Sequence, residues 1–108
     1  MRVHCALGPG LLESIYAQAL CIELQMTGIP FERETCVPIS YRGYFLCDHR
    51  LDLVVSDQLV PELKAVERLA PVHHAQLLSY LRASKIRVGL LMNFNVPVLQ
   101  DGLKRVVL

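Results

Sequence analysis

The chain has 108 residues, 53% of them hydrophobic, and 11 basic residues against 10 acidic ones leave a net charge of +1. That length fits one domain, residues 1–108, with a real core but little stability to spare. The near-neutral balance excludes a protein that grips nucleic acid by bulk charge, so a basic face would have to be built by segregating residues such as Arg82, Lys85, Arg87, Lys104 and Arg105.

In chain order, Met1-Arg2-Val3-His4-Cys5 lacks the long apolar run of a signal peptide, and a cytoplasmic location is expected. Gly8-Pro9-Gly10 is a breaker that opens a helix. From Gly10 to about Thr27, apolar residues recur with helical spacing at Leu12, Ile15, Ala19, Ile22 and Met26. Gly28-Ile29-Pro30 ends that helix. Phe31 to Tyr41 reads as a strand, Arg42-Gly43 as a turn and Tyr44 to Val55 as a second strand. Ser56-Asp57-Gln58 is a tight turn before a third strand from Leu59 to Val66. Ala70-Pro71 opens a second helix that runs to about Ser84. Ile86 to Phe94 is an apolar run of buried-strand length, Asn95 to Gln100 a loop, and Gly102 to Leu108 a last short strand. The expected fold is α/β (α+β), with a mixed central sheet flanked by helices. No stretch reaches the roughly 18 apolar residues of a membrane span.

Positive mean hydropathy calls for a fully buried sheet, an apolar patch covered by a partner, or both, with a homodimer as the default. Cys5, Cys21, Cys36 and Cys47 show no CxxC spacing and read as small, mostly buried hydrophobes. His73-His74 with Cys47 and His49 match no common zinc spacing.

Chemistry concentrates in the second and third strands. Alternation puts Leu51, Leu53 and Val55 on one face and Arg50, Asp52 and Val54 on the other. A three-residue loop at Ser56–Gln58 sets Leu51 against Leu63, Leu53 against Pro61 and Val55 against Leu59, and then Asp52 lies directly opposite Glu62. Opposed like charges destabilise a sheet, and Mg²⁺ or Mn²⁺ would offset them. Lys64, on the face of Glu62, would orient a nucleophilic water or stabilise a phosphate. These are the parts of metal-assisted phosphodiester hydrolysis. The same spacing also fits two solvent-facing acids neutralised by Arg50 and Lys64.

The helices add further candidates. Glu13 complements the first-turn dipole or serves as a third ligand, with Tyr16 on the same face. His73, Gln76 and Tyr80 form a polar stripe on the second helix, either its solvated side or a row reaching over the sheet to substrate.

Gly10-Leu11-Leu12-Glu13-Ser14-Ile15-Tyr16 matches the motif that names the GxxExxY proteins. Val60 to Glu67 and Ala75 to Leu81 resemble the same family, so the likeness runs from about His4 to the C-terminus. Those proteins are placed in the PD-(D/E)XK nuclease-like superfamily, whose restriction-endonuclease-like core is helix, three strands, helix, strand. The resemblance implies that Asp52 is the strand-two acid, Glu62 and Lys64 the ExK pair, and Glu13 the first-helix acid. Gln76 and Tyr80 match the QxxxY signature of the RecB-type exonuclease branch. The implied activity is a Mg²⁺-dependent (or Mn²⁺-dependent) nuclease acting on DNA, with RNA as the alternative substrate. Asp52, Glu62 and Glu13 would hold the metal, Lys64 would activate water, and Gln76, Tyr80, His73 and Tyr16 would touch substrate. The alternative reading is a catalytically silent nuclease-fold module that binds nucleic acid or protein.

Overall fold

A computed structural model describes residues 2–108. The elements are α1 (Arg2–Leu7), α2 (Glu13–Met26), β1 (Phe31–Tyr41), β2 (Tyr44–Val55), β3 (Leu59–Lys64), α3 (Pro71–Ser84), β4 (Val88–Asn93), a 3-10 turn (Leu99–Gly102) and β5 (Leu103–Val107). The strands form one five-stranded sheet in the order β1-β2-β3-β4-β5. β3 and β4 run parallel; the other neighbours are antiparallel. Parallel neighbours need a long crossover, and α3 supplies it. This mixed sheet with its helices is consistent with the restriction-endonuclease-like fold expected from the sequence.

α1 lies in a segment to which the sequence pattern assigns no helix. It is anchored by a buried side chain, His4, whose Nε2 sits 2.7 Å from the Val96 carbonyl and 3.2 Å from that of Phe94. α2 begins at Glu13 rather than Gly10. The preceding turn closes on Tyr16, whose hydroxyl donates to the Gly8 carbonyl and accepts from the Leu11 amide at 3.1 Å.

The buried face of α2 is not its most apolar stripe. Tyr16 and Cys21 are buried, whereas Leu12, Ile15, Ile22 and Met26 are exposed. The cysteines also depart from expectation: Cys21 is buried, but Cys5, Cys36 and Cys47 are exposed, and all four are free.

Two cores sandwich the sheet. On the α3 side, Val37, Leu51, Val54 and Val60 pack with Leu77, Leu81, Leu91 and Val106. On the α1/α2 side, Leu63, Met92, Phe94 and Leu99 pack with Val3 and Tyr16. Gly89 lets α3 close on the sheet, since a Cβ there would meet the Leu77 side chain at 2.8 Å.

The β1–β2 hairpin turns at Arg42 and Gly43, both at positive φ, the geometry that suits the right-handed twist of a two-residue turn. From Tyr41↔Tyr44 the ribbon pairs back to Phe31↔Val55. β2 and β3 pair only at Val55↔Leu59. The expected register therefore holds beside the turn and then ends, and Asp52 has no ladder partner in β3. Leu51 and Leu63, expected to face each other, lie in opposite cores.

Candidate active site

Where β2 and β3 part, the ribbon is irregular. Glu34 stands opposite Asp52 at a φ of 57°, and the β1–β2 ladder skips both residues. Positive φ is unusual for a residue with a side chain, and strict alternation fails here. Leu51 and Val54, three apart, enter the same core. Asp52 is exposed at this break. It lines a hollow of about 310 Å³ together with Glu13, Ser14, Ala17 and Leu63.

β3 presents its polar residues the other way. Leu63 belongs to the α1/α2-side core and Val60 to the α3-side core, so alternation sends Glu62 and Lys64 toward α3. Both are half-buried. Burial raises the Glu62 carboxyl to about 7, against the pull of Lys64 and with the help of the Asp52 and Glu13 carboxylates. Glu62 thus feels Lys64, Asp52 and Glu13 across the split, although Asp52 and Glu62 leave the sheet on different sides.

The β3 end is tightly held. The Phe94 amide donates to the Lys64 carbonyl at 2.9 Å. Asn93, buried, accepts from the Val66 amide at 3.1 Å and donates to the Val66 carbonyl at 2.9 Å. Glu13 Oε1 accepts from the Ala65 amide at 3.3 Å, which ties the start of α2 to the residue after Lys64. A carboxylate in a first helical turn is favoured by the dipole; here it also reaches β3.

The helix candidates separate. Tyr80 comes close to Glu62: burial raises its hydroxyl, and the Glu62 carboxylate adds to the rise. His49 stacks on Tyr80 with ring centroids 3.9 Å apart. Gln76 is exposed on α3. His73 accepts the Ala70 amide on Nδ1 at 3.0 Å and so closes the first turn of α3. Tyr16 is a correction. It is fully buried, both hydrogen-bonding capacities of its hydroxyl are used, and its ring stacks on Phe94 at 4.4 Å, so it supports the core and does not touch substrate.

Arg50, the expected counterion of Asp52 in the purely electrostatic account, pairs instead with Glu34 at 3.8 Å. Sequence reasoning missed Asn93 and His49 as site residues. An Asn ending an apolar strand was the one available signal for the first; for the second there was none.

A family model matches residues 1–106. The chain belongs to the PD-(D/E)XK nuclease superfamily. No curated protein and no solved structure matches it. Nucleases of this superfamily generally use divalent metals, so the fit of such an ion can be tested on these residues. Among the described residues no three His, Cys, Asp or Glu side chains gather closely enough to form a ready three-ligand site. Glu62 nonetheless holds a half-buried carboxyl whose negative charge is disfavoured by burial and by two neighbouring acids. A hard cation that keeps several of its waters needs only one or two carboxylates. The donor chemistry fits.

Proposed function

We propose that this chain is a Mg²⁺-dependent nuclease, with Mn²⁺ as substitute, that hydrolyses DNA phosphodiester bonds. The observation that carries this reading is Glu62: a half-buried acid beside Lys64, in the field of Asp52 and Glu13, on the strand pinned by Asn93. Glu62 would hold the ion, Asp52 would join it across the gap where β2 and β3 share no ladder pair beyond Val55↔Leu59, and Glu13 would be an auxiliary ligand. The ion, when bound, supplies Lewis acidity toward a phosphoryl oxygen and a lowered pKa for a coordinated water. Lys64 orients the attacking water and offsets charge developing on the phosphate. Tyr80 and Gln76 position the strand along α3, and His73 shapes the start of that helix.

Several features of the sequence support the finer points. The GxxExxY motif at Gly10–Tyr16 favours that branch, as one domain and a cytoplasmic protein. The exposed stripe of Leu12, just before α2, and Ile15, Ile22 and Met26 on it supports a homodimer. Purified protein should cleave DNA with Mg²⁺ or Mn²⁺, and Lys64→Ala should abolish cleavage without unfolding. Undiminished cleavage by a clean Lys64→Ala preparation would refute the mechanism.

One observation favours a second reading. The exposed apolar residues of the ribbon tip, Tyr41, Tyr44, Phe45 and Leu46, suit a silent module that binds nucleic acid or protein. Calorimetry with Mn²⁺ separates the two: no heat at millimolar metal, with the fold intact, selects the module.

A further inference from the structure

The β1–β2 ribbon projects past the sheet and ends in exposed aromatic residues, Tyr41, Tyr44 and Phe45, followed by exposed Leu46. Register sorts them by face. Val37 pairs with His49, Ile39 with Cys47 and Tyr41 with Tyr44; the shift between Ile39 and Ser40 leaves Phe45 paired with Ser40, on the opposite face. Paired and alternate residues share a face, and Val37 lies in the core against α3. One surface of the ribbon therefore carries His49, then Ile39 and Cys47, then Tyr41 and Tyr44. Its inner end is the His49–Tyr80 stack, beside Glu62. At about 3.3 Å per residue, Tyr44 lies roughly 17 Å along the strand from His49, the length of roughly five stacked nucleotides.

α3 forms the other wall. A groove of about 380 Å³ is lined by Ile39 and Ser40 of the ribbon and by Ser79, Arg82 and Ala83 of the helix. The charge here is of one sign. Neither the segment 38–47 nor α3 contains an acidic residue, while Arg42 stands at the turn, Arg82 in the groove and Lys85 just beyond the helix. Asp48 pairs with Pro38 and belongs to the opposite face. A chain of net charge +1 has thus segregated its acids away from this strip.

We infer that the α3-facing surface of the β1–β2 ribbon is a track for an unpaired DNA strand, whose bases stack on Tyr41 and Tyr44 and whose phosphates pass Arg82 and Arg42 on the way to Glu62. Exposed rings near cations are what single-strand binding uses, because every base offers a π face on which to stack. A continuous duplex keeps its bases inside and cannot use those rings. The inference rests on the nuclease reading only for the direction of travel.

The test uses binding without metal. In EDTA, fluorescence anisotropy compares a labelled oligothymidylate of about 12 nucleotides with a blunt duplex of the same length. Wild type should prefer the single strand. Tyr41→Ala and Tyr44→Ala should each weaken that complex roughly tenfold or more, and the Phe variants should retain it. Arg82→Ala should lower the salt slope by about one. Both tyrosines are exposed, and circular dichroism checks that the variants fold. Equal affinity for duplex, or single-strand affinity indifferent to the Ala changes, overturns the track. So does a dimer that the Ala changes dissociate while DNA affinity stays constant, which would assign the tip to a second copy of the chain. Tyrosine-dependent binding sustains the track even if no cleavage is ever seen. Cleavage without that dependence removes the track and leaves the nuclease reading standing.

Discussion

The two halves of the candidate site are held very differently. Glu62 and Lys64 ride on β3, which pairs with β4 along its whole length, Leu59↔Val88 to Lys64↔Asn93. The Asn93 side chain and the Phe94 amide lock the strand's end. Asp52 rides on a ribbon that touches β3 through one ladder pair, Val55↔Leu59, and stands where the ribbon's own ladder lapses. Parallel strands in mid-sheet buried on both faces are rigid; a two-stranded ribbon is marginal without support. The comparison teaches that the Lys64 side of the site is prearranged. Beyond Val55↔Leu59 no ladder pair fixes Asp52 relative to Glu62, which leaves the proposed cation or substrate to draw the acids together.

Lys64→Ala gives the sharpest break on the rigid side. Removing a preorganised electrostatic group costs on the order of 10²-fold to 10³-fold in rate, with no compensation from the ribbon. Single-turnover cleavage measures it, and an effect under about tenfold would show that Lys64 is not the prearranged element.

Asn93→Ala comes next. It leaves the backbone of Val66 without two partners and the Asn95 amide without its 3.2 Å acceptor. Losing these three part-buried hydrogen bonds should cost about 2–4 kcal/mol, a fall of some 10–20 °C in Tm at this chain length. Lost cleavage at temperatures where the variant is still folded would add that Asn93 positions Lys64. A Tm within a few degrees of wild type would mean that β3 is held by its ladder alone.

Much of this was legible in residue patterns, and the exceptions have physical causes. Both strands of the ribbon, the turn at Arg42-Gly43 and the span of α3 follow from alternation, turn chemistry and Pro71 at a helix start. α1 escaped because six residues carry no usable periodicity; a buried His4 holds it to a loop ninety positions away. The face that α2 buries does not follow its apolar spacing, because Tyr16 is buried through its stack on Phe94 while more apolar neighbours stay outside. Register at Val55↔Leu59 was readable from loop length, but no local pattern says how far a ladder continues. That is why Asp52 was expected opposite Glu62. The acids and Lys64 could be named from order and spacing; the Asn93 clamp and the His49–Tyr80 stack arise only from tertiary packing.

A smaller effect follows from Glu62. Its carboxyl rises from 4.5 unfolded to about 7 folded. Stability due to the neutral form is complete below about pH 4.5 and is lost as pH climbs toward 7. Metal-free wild type should therefore be less stable than Glu62→Gln at pH 8, by on the order of 2–3 kcal/mol, and equal to it near pH 4. Mg²⁺ or Mn²⁺ should narrow the gap, because it stabilises only the ionised wild type. Denaturant midpoints across the pH range would decide it. A gap independent of pH, or one that metal widens, would put Glu62 in a solvated setting unlike the rigid half described.

The smallest effect lies on the ribbon. Arg50 and Glu34 pair at 3.8 Å with both side chains mostly exposed, and such pairs contribute about 0–1 kcal/mol. Glu34→Gly should leave Tm nearly unchanged, because the lost ion pair is offset by relief at a φ of 57°, where glycine is at home. Freed from Glu34, Arg50 would lie closer in charge to Asp52 and compete with a cation for it. Mn²⁺ affinity should then fall severalfold while the fold stays intact. Unchanged Mn²⁺ affinity would mean that Asp52 is already set in place by the ribbon, and the contrast between a fixed and a responsive half of the site would be lost.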